Sequence, residues 1–335
     1  MRRREFITGL CGAAAAWPAT WPATWPLCAH AETNGRRPKI GYLWHAGSPD
    51  EENPYYTAVT EGFAKLGYID GQTITLIHRF PNENPERFGS MAQELVGLNP
   101  DVLMGGSVSS FYLRAATKTI PIVFMFVPDP VGMGLVEGLS HPGANVTGLS
   151  NFGHDIAGKR LQLLKEIVPD LSRVAMLINS NQQTAKMYLD VTRMAADELG
   201  LSLQAFDARS RDELREAFDA MVRAGMQALI PAQGGTSFQW RTLIPQLAIE
   251  AHLPLCAYSR ETFVPGALLS YGPDQIEMCH RGAALAGKIV SGANPGDVPV
   301  EQPTKFEFFL NLKVARTLGL RVSTASLLRA DHVVE

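Results

Sequence analysis

The sequence predicts an α/β protein of two doubly wound parallel-sheet lobes with a cleft between them. Three observations carry that expectation. From Lys39 onward, short β-branched runs alternate with amphipathic stretches, as parallel strands alternate with crossover helices. The alternation runs twice, once to about residue 150 and again from His154, without a literal repeat. The chain has 335 residues, 46% hydrophobic, enough for two cores of ordinary domain size. Its net charge of -3, with Lys+Arg nearly equal to Asp+Glu, carries no footprint for nucleic acid or a membrane surface.

The first element is an export signal over residues 1–31. MRRREFITGL supplies a positive start, an uncharged stretch of small residues follows, and Ala29-His30-Ala31 has the form of an A-x-A cleavage site. Arg3-Arg4-Glu5-Phe6-Ile7 has the twin-arginine pattern of bacterial export. The WPAT repeat within the segment carries prolines that oppose a membrane helix. The sequence thus places the mature protein in the periplasm.

The strands expected in order are 39–44, 73–79, 101–106, 122–127 and 145–149, then 173–179, 201–206, 227–232, 253–258 and 267–272. Helices fill the gaps: Phe88, Met91, Ala92 and Leu95 fall at i, i+3, i+4, i+7. The N-terminal lobe is expected to comprise 38–150 plus 273–300, and the C-terminal lobe 151–272 plus 301–335. Chain crossings near Gly153, Gly272–Asp274 and the Pro-rich 294–303 would act as hinges.

Loss of residues 1–31 leaves Cys256 and Cys279, on separate elements, which make no disulfide framework. Cys279 shares a helical face with Ala283, Ala286 and Val290 and reads as a small buried hydrophobe. The eight histidines are scattered, with no i,i+4 pair and no set of carboxylates, so no metal site and no cofactor is expected.

The chemistry concentrates in Gly105-Gly106-Ser107-Val108-Ser109-Ser110, a turn between a strand and a helix. It matches the G-x-S-x-G nucleophile elbow except at the last position, where the sharp turn needs a glycine. It lacks the lysine of a phosphate loop. Gly132-x-Gly134-x-x-x-Gly138 is set off from its strand by Pro128-Asp129-Pro130, a poor dinucleotide fingerprint. The reading left for the Ser107 turn is capture of one carboxylate by free amides, the helix dipole and serine hydroxyls, or simple helix capping by Ser107 and Ser109. Aromatic residues gather near strand ends, with Trp44 and Tyr258 the best placed to line a cleft.

Three stretches, IPIVFMFVPDPVGMGLVEGLSHPGANVTGLSNF (120–152), GALLSYGPDQIEMCHRGA (266–283) and QPTKFEFFLNLKVARTLGL (302–320), resemble the ABC transporter substrate-binding family whose better-known members bind tryptophan and other aromatic amino acids. That resemblance implies a type I periplasmic binding fold, a small carboxylate-bearing, aromatic or amino-acid-like solute held between the lobes, and an inner-membrane ABC permease as partner. The binding positions it implies are Trp44 to Pro54, Ser107 to Ser110, Asp129, Asn151, Asn179 to Thr184 and Gln233 to Ser237. Asp129, between two prolines, could equally fix its own turn. In amino-acid-binding members the loop after the 227–232 strand usually supplies an acid for the α-ammonium. Here Ala232-Gln233-Gly234-Gly235-Thr236 has none. Unless Asp129 or Glu261 takes that role, the expected ligand is a carboxylate without an amine, because a buried ammonium needs a partner. A ligand sensor of the same fold and a serine esterase using Ser107 are the alternatives.

Overall fold

The computed structural model describes residues 36–335 except 152, 153 and 183, so the expected export signal lies outside the described residues. The first lobe contains β1 (Lys39–Leu43), α1 (Pro49–Glu52), α2 (Tyr55–Lys65), β2 (Thr75–Arg79), α3 (Pro85–Gly97), β3 (Val102–Gly106), α4 (Val108–Ala116), β4 (Ile122–Val127) and β5 (Val146–Ser150). Its strands pair in the order β2-β1-β3-β4-β5, all parallel. The continuous apolar run Ile122–Val127 is what a strand covered on both faces requires.

The second lobe follows with α5 (His154–Ile167), β6 (Arg173–Ile178), α6 (Ala185–Glu198), β7 (Ser202–Asp207), α7 (Arg211–Arg223), β8 (Ala228–Pro231), α8 (Gly235–Gln239), α9 (Leu243–Glu250), β9 (Cys256–Ala257), α10 (Arg260–Phe263) and β10 (Leu269–Pro273). The chain then forms α11 (Gln275–Val290), β11 (Phe306–Asn311), α12 (Leu312–Thr317), α13 (Thr324–Arg329) and β12 (His332–Val334). Strands β7-β6-β8 form one sheet and β12-β11-β10-β9 another; a parallel bridge between Leu229 and Leu255 joins them edge to edge.

Helix α11 packs on α2 in the first lobe. Met278, Cys279, Ala283, Leu285 and Ala286 share a core with Val59 and Phe63, so Cys279 is the buried small residue its helical face predicted. Close packing there needs Gly62, whose added Cβ would lie 2.9 Å from Ala283 Cβ. Glu301 exchanges backbone hydrogen bonds with β5: its amide donates to Gly148 O and its carbonyl accepts from Ser150 N, each at 2.9 Å.

The later strands differ from the sequence reading, which also lacks β12. The expected strand 253–258 contracts to Cys256–Ala257, because Pro254 has no N–H to give a ladder. FEFFLN, unassigned from sequence, is β11 and runs antiparallel to β10. Its apolar run passes directly into α12, with Asn311 as the N-cap, and the strand-to-helix switch is hidden in an unbroken FFLNLKVA.

The strand order places the site. In each lobe the chain winds one way from its first strand and then the other, and the loops diverge between β1 and β3 and between β6 and β8. Doubly wound sheets bind ligands at such switch points, outside the carboxyl ends of the strands.

Candidate functional site

A cavity of about 50 Å³ lies where the two switch points face each other. The first lobe contributes Trp44 and His45 after β1, Glu52, Tyr55, Gly106 and Ser107 after β3, and Phe126; the second contributes Tyr188, Gln233 to Gly235, Phe238 and Tyr258. The walls are mainly aromatic. Tyr42 and Trp44 stack at 3.7 Å between ring centroids, and Phe238 of the second lobe stacks on Tyr55 of the first at 4.8 Å. Phe238 is buried in the first lobe's core cluster, so the lobes are closed on each other.

Two wall residues have strained backbones. Ser107 has φ 46° and ψ -118°, and Phe126 has φ 60°, where the β4–β5 register breaks. Such conformations persist where surroundings over-determine them, and they collect at binding sites. Ser107 N donates to Met125 O at 2.7 Å, which fixes the turn. Its side chain makes no capping bond to α4, so the capping alternative does not apply to it. The nine-residue helix α4 begins directly after Ser107, and the first amides of a helix have no acceptor within it. That end of the cavity suits a negatively charged oxygen.

The opposite charge collects around His45. Glu52 is fully buried; its Oε1 accepts from the amides of His45 and Ala46, each at 2.7 Å, and its Oε2 lies 3.2 Å from His45 Nε2. Glu83 Oε1 lies 3.1 Å from His45 Nδ1. Burial alone would lower the imidazole pKa, but the Glu52 charge and the Glu83 contact outweigh it and raise the pKa to about 9. His45 is therefore an imidazolium at neutral pH. Two carboxylates thus flank one cation, and burial raises the Glu52 pKa above its usual value. A charged His45 cannot take a proton from Ser107, which removes the cavity's one wall histidine as the base an esterase would need.

The sequence-derived positions divide into two groups. Trp44, Ser107, Gln233 and Tyr258 stand together in the cavity wall. Ser109 Oγ donates to Trp44 O at 2.8 Å and Ser110 Oγ to Gly105 O at 2.9 Å, so both hydroxyls brace the turn from behind. Asp129 lies in a neighbouring pocket, its Oδ1 accepting from Gly132 N at 2.8 Å. Asn151 is buried behind the wall, with Nδ2 3.5 Å from the Tyr188 hydroxyl. Asn179 faces the outer groove and donates to Thr236 Oγ1 at 3.0 Å. Glu261 lies at the cavity edge, 3.1 Å from the Tyr55 hydroxyl, which also bonds Gln275 Oε1.

Sequence reasoning missed Glu83; His45 and Glu52 fall within the Trp44 to Pro54 stretch that the resemblance implies, without being singled out there. The usable signal was Gly234-Gly235, a pair that permits close approach. The acid missing from that loop arrives from across the cleft: a Cβ on Gly235 would overlap Glu83 Oε1 and lie 2.9 Å from His45 Nδ1.

Residues 49–334 match the family described as ABC transporter substrate binding protein. A tyrosine-binding protein of Clostridioides difficile (strain R20291) is 25% identical over 279 residues, 82% of this chain and 80% of its own. Among solved structures, a conserved domain protein from Vibrio cholerae superposes with a TM-score of 0.83 at 26% identity, covering 89% of this chain and all of that one. The ABC domain in complex with L-Trp from Streptococcus pneumonia gives 0.82 at 24% identity, with the same coverage. Leucine-binding and LacI-like proteins share the fold at lower identity.

Proposed function

The chain belongs to the ABC transporter substrate binding protein family, and we propose that it is an exported, periplasmic component of an uptake system that captures an aromatic α-amino acid and presents it to an inner-membrane permease. The carrying observation is the polarity of the cavity. A strained, anion-accepting turn at Gly106–Ser107 stands on one side, the buried Glu52 beside His45 on another, and aromatic rings lie between them. A zwitterion with a flat apolar side chain complements all three.

The relatives that bind tyrosine and L-Trp support that ligand class. The premise for an amine-free ligand, a second lobe without an acid, loses its force because Glu52 of the first lobe lies in the cavity wall. Ser109, Ser110 and Asn151 act in this reading as braces of the wall, while Trp44, Ser107, Gln233 and Tyr258 meet the solute. In this reading the lobes hinge about the crossings at Gly272–Asp274 and 294–303, and 1–31 is the export signal. Contacts made by one ligand to both lobes stabilise the closed state and so drive closure.

Thermal unfolding of the protein with matched pairs tests this. A ligand at 100 times its Kd adds about 2.7 kcal/mol of stability. L-tryptophan, L-tyrosine or L-phenylalanine should raise the midpoint by several degrees, and 3-indolepropionate or 3-phenylpropionate should not. Equal stabilisation by the deaminated acids would restore the amine-free ligand.

A further inference from the structure

Glu83 is absent from the cavity wall and instead faces the outer groove with Asn82, Gln182, Thr236 and Gln239. It sits on an unusual turn. Asn82 and Glu83 both have left-handed backbones, φ 56° and 53°, and their amides donate to Ala46 O at 2.9 Å and His45 O at 2.8 Å. The turn is thereby pinned to the loop that carries His45. The same two residues reach the second lobe. Glu83 Oε2 accepts from Gln182 Nε2 at 3.3 Å, Gln182 also donates to Thr236 Oγ1 at 2.8 Å, and Asn82 Oδ1 accepts from Gln239 Nε2 at 3.3 Å.

Opposite this turn the second lobe has no side chains at two successive positions. A Cβ on Gly235 would overlap the Glu83 carboxylate, and one on Gly234 would lie 2.6 Å from Gln182 Oε1. Gly235 has no positive φ that would by itself demand glycine. The glycine leaves room for the Glu83 carboxylate that it meets in the closed lobes.

We propose that Glu83 is a latch, a positioning residue that seats on Gly234–Gly235 when the lobes close and sets how long the ligand is held without touching it. This rests on the solute-binding reading above but not on the identity of the solute. His45 aims the carboxylate from within the first lobe; Gln182 and the glycine pair receive it from the second. Because these contacts exist only in the closed state, they act on escape more than on encounter.

Stopped-flow kinetics and small-angle scattering on wild type, Glu83→Gln, Glu83→Ala and Gly235→Ala test the latch. Glu83→Ala should raise the dissociation rate of L-tryptophan, L-tyrosine and L-phenylalanine by roughly tenfold. Association rates and the ratios among the three affinities should stay the same; Glu83→Gln, which keeps one hydrogen bond, should fall between. Gly235→Ala should leave the ligand-free circular dichroism unchanged and, with L-tryptophan bound, show a larger radius of gyration than ligand-bound wild type, because the added Cβ displaces the Glu83 carboxylate from its seat. An unaltered dissociation rate in Glu83→Ala, an altered ratio among ligands, or a Gly235→Ala protein as compact as wild type would overturn the proposal. If wild type binds none of the three amino acids, the ligand class is wrong, and the solute released on unfolding the natively purified protein then serves as the probe for the same dissociation and scattering comparisons, which decide the latch.

Discussion

His45 and His78 lie near each other in sequence space of the same lobe, yet their surroundings push them in opposite directions. His78 accepts a hydrogen bond from Trp44 Nε1 at 3.0 Å and has its pKa lowered by burial to about 4. His45, between Glu52 and Glu83, is raised to about 9. The linkage signs differ accordingly. Between about pH 6.5 and 9 the folded protein binds more protons at His45 than the unfolded chain does, so stability falls as pH rises. At His78 the unfolded chain binds more protons between pH 6.5 and 4, so stability falls as pH drops. Urea unfolding of His45→Gln should lose the alkaline dependence, worth on the order of 3 kcal/mol over that window, and keep the acidic one. A His45→Gln protein with the wild-type alkaline slope would refute the assignment. This residue scale is also where the sequence was hardest to read. Trp44, Ser107, Gln233 and Tyr258 were found because a strand end fixes where a side chain points. Glu83 was not, because its turn depends on backbone partners at His45 and Ala46 that no local pattern announces.

At the scale of elements, close approach decides which glycines matter. Gly148 in β5 faces Phe124 of β4, and an added Cβ would overlap the Phe124 carbonyl, backbone that cannot move aside. Gly89, inside α3, has nothing within 4 Å of the same imagined atom. Gly148→Ala should therefore destabilise by about 1–3 kcal/mol through overpacking, whereas Gly89→Ala should gain up to about 1 kcal/mol of helix propensity. Chemical denaturation of both variants checks the contrast, and a neutral Gly148→Ala would show that the sheet can open there without cost. Strands such as IVFMFV and RVAMLI were legible because burial on both faces leaves an uninterrupted apolar run. β11 and β12 were not, since antiparallel return and pairing at the far edge depend on contacts distant in sequence.

Over the whole molecule, the double α/β alternation was enough to predict two lobes and a cleft, and the strand orders 2-1-3 and 7-6-8 then put the cavity between opposing switch points. The sequence could not show how the lobes meet. That contact is made by Phe238 inserted against Tyr55, Arg241 over the Phe238 ring at 4.2 Å and donating to Glu51 O and Asn53 O, and Glu83 against Gly235. The stacked Trp44 has an optical consequence. Trp44 in the cavity wall and Trp240 at the outer groove are the tryptophans of the described residues, so a protein from which residues 1–31 have been removed fluoresces from these two alone. Titration with L-phenylalanine, which emits little under tryptophan excitation, should shift the intensity or wavelength of that emission in wild type and Trp240→Phe and leave Trp44→Phe nearly silent. A response carried by Trp240 alone would place the bound solute in the groove rather than the cavity. The chain thus contains its own dye, positioned where occupancy changes its surroundings.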